Sequence, residues 1–481
     1  MTEKKPLLGL CPIGKFVFSN ADALRFKGLI QARLHQWQIP FVDLDGVLED
    51  GLVKDQAQVD TVVAHFRRAG VEALFMPHCN FGTEGAVGMI GRKLGLPVLL
   101  WGPRDEAPLP DGSRLRDTLC GLFASSNVLG KLGVKFTYLE NCRLDEPPLR
   151  AGMETFLRAV QAAAALTRGL RIGHLGQRID FFWTTIINEQ QLLDRFAVEV
   201  LPLDMVDFIN ASRDRARRGR TGYEKEISEL RQTTTLEGFA EDGPLVNVLA
   251  MRDQMLALAA QHGLETLAVQ EFTSLVDAMG AYCCYAESAV GDTVTIAYES
   301  DIHGAISNVL IQRASFNTAA AFLSEFVIRH PTNDNAGCVW HAGAPLSLCA
   351  PDDRVRIGKH WILPSPLSGM THFRLKEGPV TLARFDGNHG DYVLAVGEAH
   401  TCDGPATLNN YVWVEVDDWR RWERTLMEGP FIHHLAMNYG RYSAALREAC
   451  RYVPGLALID LNQTRVTAPL RPSPGTSSAL P

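Results

Sequence analysis

The chain has 481 residues, 46% of them hydrophobic and 21% charged, the proportions of a soluble globular protein long enough for two or three cores. A formal net charge of -8 argues against a nucleic-acid binder, and no apolar run approaches the roughly 18 residues of a membrane span. Ten cysteines are scattered without a paired CxxC framework, which fits a reducing cytoplasm and small core roles.

In chain order, LLGLCPI, IPFVDLD, ALFMPH and LPVLLWG read as buried strands, while 23–37, 56–69 and 83–94 show helical periodicity. This alternation predicts a parallel sheet covered on both faces, an N-terminal α/β domain over 1–165. A second, central α/β domain is expected over 166–330. There LRIGHLG is a strand, 189–196 a helix, and VEVLPLDMVDFI a strand running into a helix. The basic run SRDRARRGR that follows reads as a solvated helix end or loop. TLAVQEF and VTIAYESD are strands that run into loops carrying Glu271, Glu299 and Asp301. Over 331–465 the runs VTLARFD, DYVLAVGEAH and NYVWVEV alternate as antiparallel strands before a helix near 442–451, which predicts a mainly β third domain. The tail 466–481, ending RPSPGTSSALP, has the composition of disorder.

The motif FVDLDGVL has the Asp-x-Asp-Gly spacing of haloacid-dehalogenase-like phosphatases, with Asp43 as nucleophile and Asp45 as acid and base. The downstream Ser or Thr, Lys and acidic pair of that chemistry do not follow in order, so a strand end with two solvated carboxylates is the expectation. Asn80, Gly82, Thr83 and Glu84 open a helix, with Thr83 as its N-cap.

Chemistry concentrates later. In YESDIHGA, Glu299 and Asp301 are two residues apart after an apolar strand, a spacing that turns both carboxylates to one site. GPFIHHLAMNYG adds His433 and His434. Carboxylate oxygens with an imidazole nitrogen suit Mn²⁺, Mg²⁺ or another divalent cation. In VWHAGAP, Trp340 and His341 are candidates to line a sugar pocket, against core and buried hydrogen-bonding roles. Two α/β domains with a cleft also describe a sugar-binding or sensor protein without catalysis.

Together HCNFGTEGAVG, LLWGPRDE, YESDIHGA, VWHAGAP and PFIHHLAMNYG resemble the L-fucose and L-arabinose isomerase superfamily, over about 7–461. The resemblance implies two doubly wound α/β domains followed by a β-barrel domain, and a homo-oligomer, commonly a hexamer. It implies a metal-dependent aldose-ketose isomerase working on a small sugar through a cis-enediol. On this reading Glu271, Asp301 and His434 hold the metal, with Asp277 the alternative to Glu271, and Asp301 and Glu271 move protons. Glu299, Trp340, His341 and His433 bind substrate. The segment GQRIDFFWTT departs from either named isomerase, which leaves a pentose, a 6-deoxyhexose or a sugar with an acidic substituent as the substrate. Arg104, Arg178 and Arg384 are available to a charged group.

Overall fold

A computed structural model describes residues 3–239, 241–272, 274–362 and 365–463. The expected tail 466–481 lies outside the described residues. The chain divides into two compact units, Lys4–Gln161 and, apart from the first three residues, Ala162–Pro481.

The first unit is built on strands β1 (Leu8–Leu10), β2 (Phe41–Val42), β3 (Ala73–Pro77), β4 (Val98–Trp101) and β5 (Phe136–Tyr138). They form a parallel five-stranded sheet in the order β2-β1-β3-β4-β5. Helices Asn20–Gln36, Val59–Ala69 and Glu84–Leu94 connect the first four strands. Ser19 caps the first of these by accepting from Asp22 N at 3.2 Å, and Gly70 and Gly95 end the other two in the left-handed conformation.

FVDLDGVL begins in the edge strand of this sheet, and its carboxylates have structural partners. Gln31 Nε2 donates to Asp43 at 2.8 Å and to Asp45 at 2.9 Å, and Lys27 pairs with Asp45. Thr83 stands at the N-cap position, yet its hydroxyl donates to the carbonyls of Gly14 (2.8 Å) and Lys54 (2.9 Å) and ties loops together instead of capping the helix. His78, just beyond β3, is completely buried, with Nδ1 2.7 Å from the Phe81 carbonyl. Burial pushes its pKa down to about 4.

In the second unit, β6 (Leu170–Leu175), β7 (Val198–Leu203), β9 (Thr266–Val269) and β10 (Thr295–Ala297) form a parallel sheet in the order β10-β9-β6-β7. The basic run lies at the end of helix Met205–Arg218, whose N-terminus Asp204 caps through Val206 N and Asp207 N. Ligands of open parallel sheets bind beyond the carboxyl ends of the strands. Here Glu271 follows β9 and Glu299 follows its neighbour β10.

The same unit contains β8 (Thr235–Leu236) and the strands β11 (Phe322–Arg329), β12 (Ala336–His341), β13 (Arg356–Lys359), β14 (Ser368–Arg374), β15 (Pro379–Asn388), β16 (Asp391–Cys402), β17 (Asn410–Glu415), β18 (His434–Tyr439) and β19 (Leu456–Asp460). The ring β16-β15-β18-β11-β12-β17 closes because β17 also pairs with β16, and every pairing in it is antiparallel. This closed barrel leaves no open edge in the ring itself. Among the described residues no helix is long and apolar enough to cross a membrane.

Candidate active site

Glu299 and Ser300, between β10 and helix Ile302–Ala314, have φ of 58° and 56°. Two consecutive non-glycine residues in the left-handed region cost on the order of 1–3 kcal/mol each, so the surroundings must hold them. They do. Glu299 N donates to both Glu271 carboxylate oxygens (3.1 and 3.0 Å), Ser300 N to the Val269 carbonyl (3.0 Å), and Ser300 Oγ to the Gln177 carbonyl (3.2 Å).

This turn interrupts strand alternation, and the carboxylates of Glu299 and Asp301 part company. Asp301 caps the helix, accepting from Gly304 N at 2.9 Å. Its side chain is fully buried, and both oxygens accept from the equally buried Arg384, at 2.5 and 3.2 Å. Oδ2 also accepts from His434 Nδ1 at 3.0 Å. Burial alone would raise the pKa of Asp301, but Arg384 and His434 hold the carboxyl far below its usual range. The glycine of ESDIHGA is required by this contact: a Cβ at Gly304 would stand 2.5 Å from Asp301 Oδ2 and 2.8 Å from Leu323. Arg384 also donates to Asp386, so it is committed to protein carboxylates and unavailable to a charged substrate.

His434, the first residue of β18, is completely buried. With Nδ1–H given to Asp301, its Nε2 lies 3.3 Å from Glu299 Oε2, without a well-directed hydrogen bond. Burial alone would lower this pKa; Asp301 and Glu299 on either side push it up to about 9. Glu271 moves upward through its burial and the nearby carboxylates of Glu287 and Glu299.

These groups adjoin a cavity of about 230 Å³ lined by Glu271, Glu299, Glu325, Trp340, His341 and His360, with Phe182 and Phe272 among its aromatic walls. Of the sequence candidates, Glu271, Glu299, Trp340 and His341 line it, His434 meets it through Glu299, and Asp301 stands behind His434. Asp277 is exposed on helix Ser274–Met279. His433 is half exposed and places Nε2 3.1 Å from Glu325. A larger crevice of about 690 Å³ beyond β6 and β7 contains Arg178 and Asp204, but Arg178 spends Nη1 on the carbonyls of Ile179, Asp180 and Phe182.

Sequence reasoning missed Glu325. It lies on β11 directly opposite His434 on one side and Trp340 on the other, and His433 holds its pKa down against the effect of burial. Its one signal is a lone acidic residue inside the apolar strand FLSEFV. A second missed carboxyl, Glu287, is fully buried, and burial pushes its pKa up to about 7.

Glu299, His433 and His434 place ligand atoms within 4.8 Å of one another, a group that could hold a divalent cation, and Glu271 adjoins it through the Glu299 backbone N–H. Carboxylate oxygens and an imidazole Nε2 left without a directed hydrogen-bond partner are donors of the kind a divalent cation takes, and its binding would displace the proton that Asp301 and Glu299 hold on His434. Asp301 has no oxygen left over.

Residues 9–167 match the family model of the fucose/sulfoquinovose isomerase N-terminal domain, and residues 368–457 that of the L-fucose isomerase C-terminal domain. A sulfoquinovose isomerase from Alkalicoccus urumqiensis is 27% identical over 75% of this chain and 79% of its own length. A sulfoquinovose isomerase from Priestia megaterium is 26% identical over 74% of this chain and 78% of its own. A solute-binding protein from Burkholderia multivorans aligns at 11% identity over 65% of this chain and 94% of that one, with a TM-score of 0.17, too low to bear on fold or function. The two domain matches and these relatives place the chain in the L-fucose isomerase-like superfamily, as a sugar isomerase of the aldose-ketose type.

Proposed function

We propose that this isomerase is metal dependent, that Glu271, Glu299 and His434 hold the cation, Mn²⁺ or Mg²⁺, and that the two glutamates move the protons. The observation that carries the reading is the Asp301–His434 contact, which turns the imidazole so that Nε2, not Nδ1, looks towards Glu299. A cation bound there supplies Lewis acidity towards adjacent sugar oxygens. Glu271, raised in basicity by burial and its acidic neighbours, takes the proton from the carbon beside the carbonyl and returns it to the next carbon. The species between is a cis-enediol, and Glu299 carries the hydroxyl proton. Asp301, read from the sequence as ligand and proton shuttle, is assigned instead to positioning His434, because Arg384, Gly304 N and His434 occupy its oxygens.

Trp340 presents an aromatic face to the C–H surface of the sugar, and His433 acts on substrate through Glu325. L-Fucose and sulfoquinovose are the first aldoses to test. Superfamily membership removes support from the binder and phosphatase alternatives. We further propose a cytoplasmic homo-oligomer, hexameric as in the resemblance; exposed Leu119 and Phe123 on helix Thr118–Lys131 support self-association. Within the second unit, 166–330 and 331–465 are taken as separate domains.

The test is a panel of aldoses assayed for ketose with metal-free protein, with and without Mn²⁺. The expected result is activity that EDTA removes and Mn²⁺ restores, with solvent deuterium entering C1 or C2 of the product. Turnover that ignores EDTA sinks the metal reading, and complete retention of the substrate hydrogen sinks the enediol.

A further inference from the structure

The buried His341 and His434 form a group with the partly buried Glu325, one ligand atom of each within 4.8 Å of the others, and the two imidazoles are 5.5 Å apart between centroids. Hydrogen bonding gives them opposite characters. His434 directs Nδ1 to a carboxylate, which only accepts, so its Nδ1 is a donor. His341 directs Nδ1 to the backbone N–H of Ala342 at 2.9 Å, which only donates, so Nδ1 bears the lone pair and Nε2 carries the proton.

Consequently His341 cannot offer Nε2 to a cation without losing its last ring proton, although it stands in a group with the composition of a metal site. The imidazole lines the cavity shared by Glu271 and Glu299, and Nε2 has no hydrogen-bond partner among the described residues. Its orientation is fixed by stacking on Tyr298, 4.6 Å between centroids with the planes 18° apart. Tyr298 is anchored in turn by donating its hydroxyl to the Gly343 carbonyl. The result is a rigid, neutral N–H directed into a chamber walled by carboxylates.

We propose that His341 is a further catalytic residue, whose Nε2–H donates a hydrogen bond to the substrate carbonyl oxygen as negative charge gathers there. The inference rests on the proton-abstraction reading above. When Glu271 removes the carbon-bound proton, the electron pair of the broken C–H bond forms the C=C of the enediol and the carbonyl π pair moves onto oxygen. A fixed donor favours that charge more than it favours the neutral ground state. A neutral donor also leaves the proton balance to the glutamates, since it releases nothing.

The experiment compares His341→Phe, which keeps a ring to stack on Tyr298 and removes the donor, with His341→Gln, whose amide N–H stands in for Nε2–H but cannot stack. The expected result is a loss of kcat on the order of 100-fold or more in the Phe variant. KM and Mn²⁺ affinity, measured by calorimetry, should stay within about threefold, and the Gln variant should recover at least a tenth of wild-type kcat. A Phe variant with near-normal kcat would overturn the proposal in favour of a stacking role. Loss of Mn²⁺ affinity in both would overturn it in favour of metal ligation, and equal loss of kcat in both at unchanged Mn²⁺ affinity would also count against it. Failure of the enediol reading shows separately, as retention of the substrate hydrogen by the wild-type enzyme in deuterated water.

Discussion

Asp301 Oδ2 lies 3.0 Å from His434 Nδ1, and both side chains are completely buried. The contact joins the cap of helix Ile302–Ala314 to the first residue of β18, so one carboxylate organises the helix start, Arg384 and a candidate metal ligand together.

Asp301→Asn follows from that joint. An amide still caps the helix but leaves buried Arg384 with a weakened partner and lets the His434 ring turn. Mn²⁺ affinity should fall by roughly 10- to 100-fold, and folding stability by about 3 kcal/mol. Excess Mn²⁺ should restore much of kcat, whereas Glu299→Gln should stay inactive at any Mn²⁺ concentration. Turnover of Asp301→Asn that excess metal cannot raise would return Asp301 to the chemistry.

Strain at Glu299 leads to a trade between stability and activity. With φ at 58°, Glu299→Gly removes a steric penalty and a carboxylate beside Glu271. Metal-free Glu299→Gly should unfold at a higher temperature than metal-free wild type, by about 1 kcal/mol of stability, with turnover essentially abolished. A lower melting temperature would mean that the bonds from Glu299 N to Glu271 depend on the side chain.

His78 sets an acid limit for the first unit. Its folded pKa, about 4, lies below the ordinary 6.5, so the unfolded chain takes up the proton first as pH falls. The contribution is complete above pH 6.5 and declines from there to about pH 4, and the loss amounts to about 3 kcal/mol once both states are protonated. His78→Asn keeps a donor for the Phe81 carbonyl and does not titrate. Its urea midpoint should therefore vary less between pH 7 and pH 4.5 than that of wild type, and parallel pH profiles would remove His78 as the cause.

Strongly apolar runs made the main sheets legible. The half-exposed β5 escaped notice, since three residues, Phe-Thr-Tyr, give no periodicity to read. Helix Thr118–Lys131 escaped as well, its serines and glycines diluting the pattern. At the site, Glu271, Glu299 and His434 were visible as residue types at strand ends. The roles of Glu299 and Asp301 were not: alternation predicts both carboxylates on one side, but β10 ends at Ala297 and the left-handed turn follows. Glu325 needed knowledge of which strands pair. The proton positions on His341 and His434 needed the partners of each ring, one a backbone donor and the other a carboxylate.

The closed barrel has a further consequence for how this scaffold can diversify. Trp340, Glu325 and His434 sit side by side on β12, β11 and β18, and a strand in a closed ring cannot slip without breaking pairings on both sides. The reactive wall is therefore inherited as a unit. Phe182, Phe272, His360 and Ile362, on connecting segments, can be exchanged without disturbing it. A library confined to those four positions should yield new sugar preferences on an unaltered reaction, much as a lathe keeps its bed while the chuck is changed.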